Sequence, residues 1–75
     1  MKKFSVLIAG RHATSISLEE EFYNDLCQIA RLQKVSRNEL ITQIDKERQI
    51  ENLSSAIRIY ILQYWKKQLP TPKRG

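Results

Sequence analysis

One short segment of the chain alternates between apolar and small polar residues, and a region with helical periodicity follows it. Ile16 and Leu18 point to one side of an extended strand. Ala13, Ser15 and Ser17 point to the other side, so one face of this strand is open and holds small residues. Because an isolated strand leaves its backbone N–H and C=O groups unpaired, this segment needs a partner strand.

The chain has 75 residues, with Cys27 as its single cysteine and His12 as its single histidine. An internal disulfide is therefore impossible, and one Cys and one His cannot supply the four ligands of a structural zinc site. A chain of this size buries only about 60% of the surface that its unfolded form exposes. Small domains compensate with disulfides, metals or oligomerisation. We therefore expect a homodimer or a dimer of dimers, with no bound metal.

Two helices are predicted after the alternating strand. The first covers about 18–33, with Ser17 as its N-cap and Glu20 at the capping-box position. The second opens at Ser36, and Glu39 lies at the equivalent capping-box position. Both helices carry an apolar stripe at helical spacing, which indicates one buried face on each.

A third helix starts at Asn52 or Ser54 and runs to about Leu69. Ile59 and Leu62 make it apolar on more than one face, and 75 residues cannot bury such a helix alone. We expect this helix to pack against a second copy of the chain. The predicted core and dimer residues are Ile16, Leu18, Phe22, Leu26, Ile41, Ile44, Ile57, Tyr60, Ile61 and Tyr64.

The two ends of the chain are basic. Residues 1–10 are predicted to form either an N-terminal arm or an extra strand, residues 11–69 the domain, and residues 70–75 a basic tail. The apolar run over 4–9 is shorter than the roughly 7–15 residues of a signal-peptide core. No stretch reaches the roughly 18 residues of a transmembrane helix. The sequence therefore predicts a cytoplasmic protein that does not enter the membrane.

The chain carries 13 Lys and Arg against 8 Asp and Glu, a formal net charge of +5. This balance favours an anionic partner, with nucleic acid as the first candidate. The sequence contains no Ser/His/Asp set that the single His12 could serve, no glycine-rich phosphate loop and no metal-ligand spacing. We therefore expect no enzyme activity and no cofactor.

Several segments together resemble the ribbon-helix-helix domain of Arc- and MetJ-type repressors over roughly residues 11–48. The residues that carry the resemblance are Ala13-Thr14-Ser15-Ile16-Ser17-Leu18-Glu19, Phe22, Leu26, Ile29-Ala30 and Val35-Ser36-Arg37-Asn38-Glu39-Leu40-Ile41. The segment from Asn52 to Arg58 is similar to an extra segment of short bacterial members.

The resemblance implies a mainly helical chain with one short β-strand, which dimerises through an intermolecular antiparallel two-stranded ribbon, plus a third helix. It implies sequence-specific double-stranded DNA binding by a homodimer, with the ribbon in the major groove, as a bacterial transcriptional repressor. The alternative is an antitoxin-type module whose C-terminal helix binds a partner protein.

The resemblance also implies which residues contact DNA. The implied base contacts are Arg11, Ala13, Ser15 and Ser17. The implied phosphate contacts are Ser36, Arg37 and Asn38, at a helix opening whose free N–H groups favour an anion. The segment that begins at Ser54 resembles the same helix opening, so a second assignment of the phosphate contact stays open.

Overall fold

The computed structural model describes residues 1–69, which form two strands and three helices. The elements are β1 (Lys2–Ile8), β2 (His12–Leu18), α1 (Glu20–Leu32), α2 (Arg37–Glu47) and α3 (Leu53–Gln68). The prediction of a mainly helical chain, with a short antiparallel ribbon and a third C-terminal helix, is confirmed. The predicted basic tail, 70–75, lies outside the described residues.

β1 supplies the partner strand that β2 requires. The two strands pair antiparallel, with Phe4 opposite Ile16 and Ser5 opposite Ser15. Residues 2–8 pair in this way because they alternate between buried and exposed positions as β2 does. Of the two alternatives for residues 1–10, an arm or an extra strand, the structure has the extra strand, and the two-stranded ribbon of the single chain is intramolecular. A ribbon between two copies stays a prediction.

A tight turn makes this pairing possible. Ala9 and Gly10 have φ angles of 54° and 67°, and the N–H of Arg11 donates to the Ile8 carbonyl at 3.0 Å. Glycine adopts positive φ without steric strain, so Gly10 suits a hairpin turn of this hand. The residues that lead into β2 thus fold back on it as β1.

The hydrophobic core lies between one face of the hairpin and the three helices. α2 packs on β1, while α3 packs on β2 and on both other helices. The buried residues are Val6, Ile8, Ile16, Leu18, Leu26, Ile29, Ala30, Leu40, Ile41, Ile44, Ala56, Ile57 and Ile61. Three members of the core set named from the sequence are only partly buried, namely Phe22, Tyr60 and Tyr64.

The opening of α1 differs from the prediction. Ser17 lies in β2, and the N-cap of α1 is Glu19, which makes no side-chain cap hydrogen bond. The predicted Ser17 cap is therefore wrong, because the strand continues through Leu18, which pairs with Lys2. Strand pairing takes precedence here over a local capping signal.

The other two helices begin where the sequence indicates. The Ser36 hydroxyl accepts from the Glu39 N–H at 3.0 Å, and the Glu39 carboxylate accepts from the Ser36 N–H at 2.8 Å. This confirms the predicted capping box of α2. Of the two starts considered for α3, Asn52 is the N-cap, and its side-chain oxygen accepts from the Ser55 N–H at 2.9 Å.

Candidate nucleic-acid interface

One face of the hairpin points away from the helices, and we call it the open face. It consists of Lys3, Ser5 and Leu7 from β1 and Ala13, Ser15 and Ser17 from β2. Across the ribbon, Ser5 lies opposite Ser15, and Leu7 lies opposite Ala13. Because side chains alternate along both strands, none of these six residues is needed to fill the core.

The structure brings three of the four predicted base-contact residues together on this face. Ala13 and Ser15 are exposed, whereas Ser17 is half-buried. Arg11, the fourth, is exposed in the turn that ends the ribbon. The serine side chains are short and are attached to paired strands, so their hydroxyl groups suit hydrogen bonding to base edges.

The β1 half of the open face is not among the base-contact residues predicted from the sequence. Lys3, Ser5 and Leu7 are exposed and alternate with the residues that β1 directs to the core. The signal was present as an alternation of Phe4, Val6 and Ile8 with polar or exposed neighbours. Leu7 interrupts this alternation, so that residues 6–9 form a continuous apolar run in the sequence.

The ribbon carries positive charge only. Residues 1–18 contain lysine and arginine but no aspartate or glutamate. The first acid along the chain is Glu19, whose carboxylate accepts from Nε of Arg58 at 2.9 Å and from its terminal nitrogen at 3.4 Å. The hydrogen bond from Arg58 lowers the pKa of Glu19, and a backbone hydrogen bond lowers it further. The flanks of the ribbon are of mixed charge, because Asp45, Arg48 and Glu51 line the cleft along β2 and Glu39 lines the depression along β1.

The opening of α2 lies beside the outer edge of β1. The Ala9 N–H donates to Oγ1 of Thr42 at 3.3 Å, which ties the hairpin turn to α2. Leu7 and Asn38 line the same surface depression between the strand and the helix. Within the described residues, the backbone N–H groups of Arg37 and Asn38 have no hydrogen-bond partner, so they can donate to an anion.

The side chain of Arg37 turns back onto the protein. Its Cζ lies 4.8 Å from the Phe4 ring centroid, and its Nη1 donates to the Tyr23 hydroxyl at 2.9 Å. Nη2 lies 3.5 Å from the Ser5 carbonyl oxygen. The guanidinium therefore joins α2 to α1 and β1. Its predicted phosphate contact stays a prediction, because the conformation observed here uses the charged group within the fold.

The opening of α3 lies beside the other strand. Asn52 and Ser54 line a polar cleft together with His12, Thr14 and Ser15 of β2. The first turn of α3 has no acidic residue, whereas the first turn of α2 contains Glu39. One helix opening thus flanks each strand of the ribbon, and both assignments of a phosphate contact remain compatible with the geometry.

A family model described as a ribbon-helix-helix domain matches residues 1–65. The chain belongs to the ribbon-helix-helix family. The matched range includes β1. No curated protein and no solved structure matches the chain.

Ribbon-helix-helix domains are typically DNA-binding regulators, and they generally bind DNA as dimers. They act as regulatory modules and not as enzymes. Among residues 1–69, no helix is both long and apolar enough to cross a membrane.

Proposed function

We propose that this protein binds double-stranded DNA sequence-specifically by placing its hairpin in the major groove. We further propose that the protein is a homodimeric transcriptional repressor that acts in the bacterial cytoplasm. The observation that carries it is the open face, a two-stranded ribbon with hydroxyl and basic side chains. Two strands lie about 4.8 Å apart, and the major groove is about 12 Å wide, so the ribbon fits with its side chains.

Base contacts come from the open face. The exposed Ser15 and the half-buried Ser17 carry hydroxyl groups that donate and accept, so they pair with several base edges. Ala13 is small enough to approach a thymine methyl group, and Arg11 has the length and the donors to reach a guanine. Since Ile16 and Leu18 anchor β2 in the core, these contacts start from a rigid strand.

Phosphate contacts come from the helix openings that flank the ribbon. The free N–H groups of Arg37 and Asn38 beside β1 provide one anion site, with Ser36 as the capping residue. The opening at Ser54 beside β2 provides the other, in a cleft where Arg48 lies with the acids Asp45 and Glu51. A groove-bound ribbon has one DNA backbone on each side, so one opening per strand matches the two backbones.

The homodimer contact that we propose is α3. β1 already pairs with one edge of β2, so that edge does not require a second copy. Ile59 and Leu62 are 40% and 53% exposed on α3, and they are the apolar residues that led us to expect a helix partner. Dimers are general in the family, and this surface lies on a different element from the open face.

Selection of bound sequences from a random DNA pool, at stated salt, tests the proposed function. We expect enrichment of a defined site. Ser15→Ala should then weaken binding to that site by about 1–3 kcal/mol and change binding to random DNA little. Gln28→Ala, an exposed polar change on α1, is the matched control and should have no effect on either.

If the wild-type protein enriches no sequence and binds duplex DNA only at low salt, the DNA-reading role is wrong. Purification from cells with a protein partner at unit stoichiometry would then favour the antitoxin-type alternative.

A further inference from the structure

Leu7 is an apolar side chain on an otherwise polar and small-residue face. It is 46% exposed, although its neighbours Val6 and Ile8 are both buried. The strand therefore holds Leu7 outwards while the core fixes the residues on either side. Across the ribbon it lies opposite Ala13, so the turn end of the open face carries a small apolar patch.

The chemistry of the major groove offers one group that matches this patch. Among the base edges, only thymine presents a methyl group there, and the other exposed groups are hydrogen-bond donors and acceptors. We propose that Leu7, together with Ala13, reads a thymine methyl, so that β1 supplies half of the base-reading surface. This inference rests on the proposed function and names the part of the DNA that β1 contacts.

The two strands of the ribbon then read different groups. β1 presents Lys3, Ser5 and Leu7, whereas β2 presents two serines and an alanine. Lysine pairs with the O6 and N7 acceptors of guanine. Lys3 and Leu7 are four residues apart, which is about 13 Å along a strand, or about four base-pair steps.

One hairpin should therefore read a sequence without two-fold symmetry, with a guanine and a thymine about four steps apart. A ribbon formed by one identical strand from each of two chains would read a two-fold-symmetric sequence instead. A homodimer selects a two-fold-symmetric site in both arrangements, so the position of the symmetry axis distinguishes them: it lies within the contacts of one ribbon or between two separated half-sites.

Deoxyuridine substitution tests the methyl contact directly, because uracil lacks only the C5-methyl group of thymine. We expect replacement of the read thymine to weaken wild-type binding about fourfold, which is the effect of one buried methyl group. Leu7→Ala should weaken binding to the thymine site by a similar factor. This variant should lose most of the difference between the thymine and deoxyuridine sites, because Ala13 alone covers only part of the methyl group.

Leu32→Ala is the matched control, because Leu32 is 56% exposed at the end of α1, away from the hairpin. It should behave as wild type on both DNA sites. Because Leu7 is about half covered and lies beside α2, thermal melts of Leu7→Ala and wild type are recorded first, and binding is compared at a temperature at which both are fully folded.

Two results would overturn the inference. If Leu7→Ala binds the selected site as tightly as wild type, or keeps the full deoxyuridine penalty, Leu7 does not read the methyl. If Ser15→Ala still weakens binding to the selected site, the proposed function stands although this inference is wrong. If the wild-type protein selects no DNA site, the proposed function fails, and this inference fails with it.

Discussion

Replacement of Arg37 by alanine separates a role in the fold from a role at a phosphate. The side chain donates to the Tyr23 hydroxyl at 2.9 Å and lies 4.8 Å from the Phe4 ring centroid. A hydrogen bond from a charged donor contributes about 1.5–3 kcal/mol, and a cation–π contact at a partly exposed site contributes about 0.5–1 kcal/mol. Because Arg37 and Tyr23 are only partly buried, we take the lower part of the range. Arg37→Ala should lower the free energy of unfolding by about 2 kcal/mol, or the melting temperature by about 10 °C.

Urea unfolding followed by circular dichroism, without DNA, measures this loss. Tyr23→Phe removes the hydroxyl acceptor alone and should lower the free energy of unfolding by about 1 kcal/mol. The double variant should be less destabilised than the sum of the single variants, because the two side chains share one contact. The reasoning is refuted if Arg37→Ala unfolds at the wild-type urea concentration. A reduced salt dependence of DNA binding, by about one unit per lost contact, would then assign the guanidinium to a phosphate.

Two further predictions concern the helices. Since the pKa of Glu19 is lowered from its ordinary value of 4.5 by Arg58, the pair stabilises the fold above that value, and its contribution is lost as the pH falls through the lowered pKa. In thermal melts near neutral pH, wild type should therefore be more stable than Glu19→Gln. The difference in stability should vanish in acid. A difference that does not change with pH would contradict this reasoning. Ile59→Lys combined with Leu62→Lys should convert a dimer into a folded monomer in sedimentation equilibrium. If the double variant is still a dimer, α3 is not the dimer contact, and the free edge of β2 becomes the candidate.

The features that the sequence predicts well are those set by neighbouring residues. The capping box of α2 depends on Ser36 and Glu39, which are three residues apart, and both hydrogen bonds are present. The inward direction of Ile16 and Leu18 follows from a period of two along one strand. In each case the competing conformations are few, and the local pattern selects one of them.

The features that the sequence predicts poorly depend on distant partners. Arg37 has Ser5 as a neighbour, 32 positions away, and its direction is decided by how α2 docks on β1. Ser17 is a good capping residue that lies in a strand, because a long-range pairing competes with the cap. Lys34 has a φ of 61°, a conformation that glycine usually supplies, so the residue type gave no indication of it.

The pairing of β1 with β2 changes what a dimer of this chain offers to DNA. In a ribbon made of one strand from each copy, a dimer presents one reading face and occupies one segment of the major groove. Here each chain carries a complete two-stranded ribbon, with one helix opening beside each strand. If two chains join through α3, their hairpins remain free, and the dimer presents two reading faces. Two faces on one side of B-DNA enter successive major-groove segments about 34 Å apart. The two-fold axis of the operator then lies between two separated half-sites. Each half-site is asymmetric because Lys3 faces Ser17 and Leu7 faces Ala13, whereas the central pair, Ser5 and Ser15, is alike.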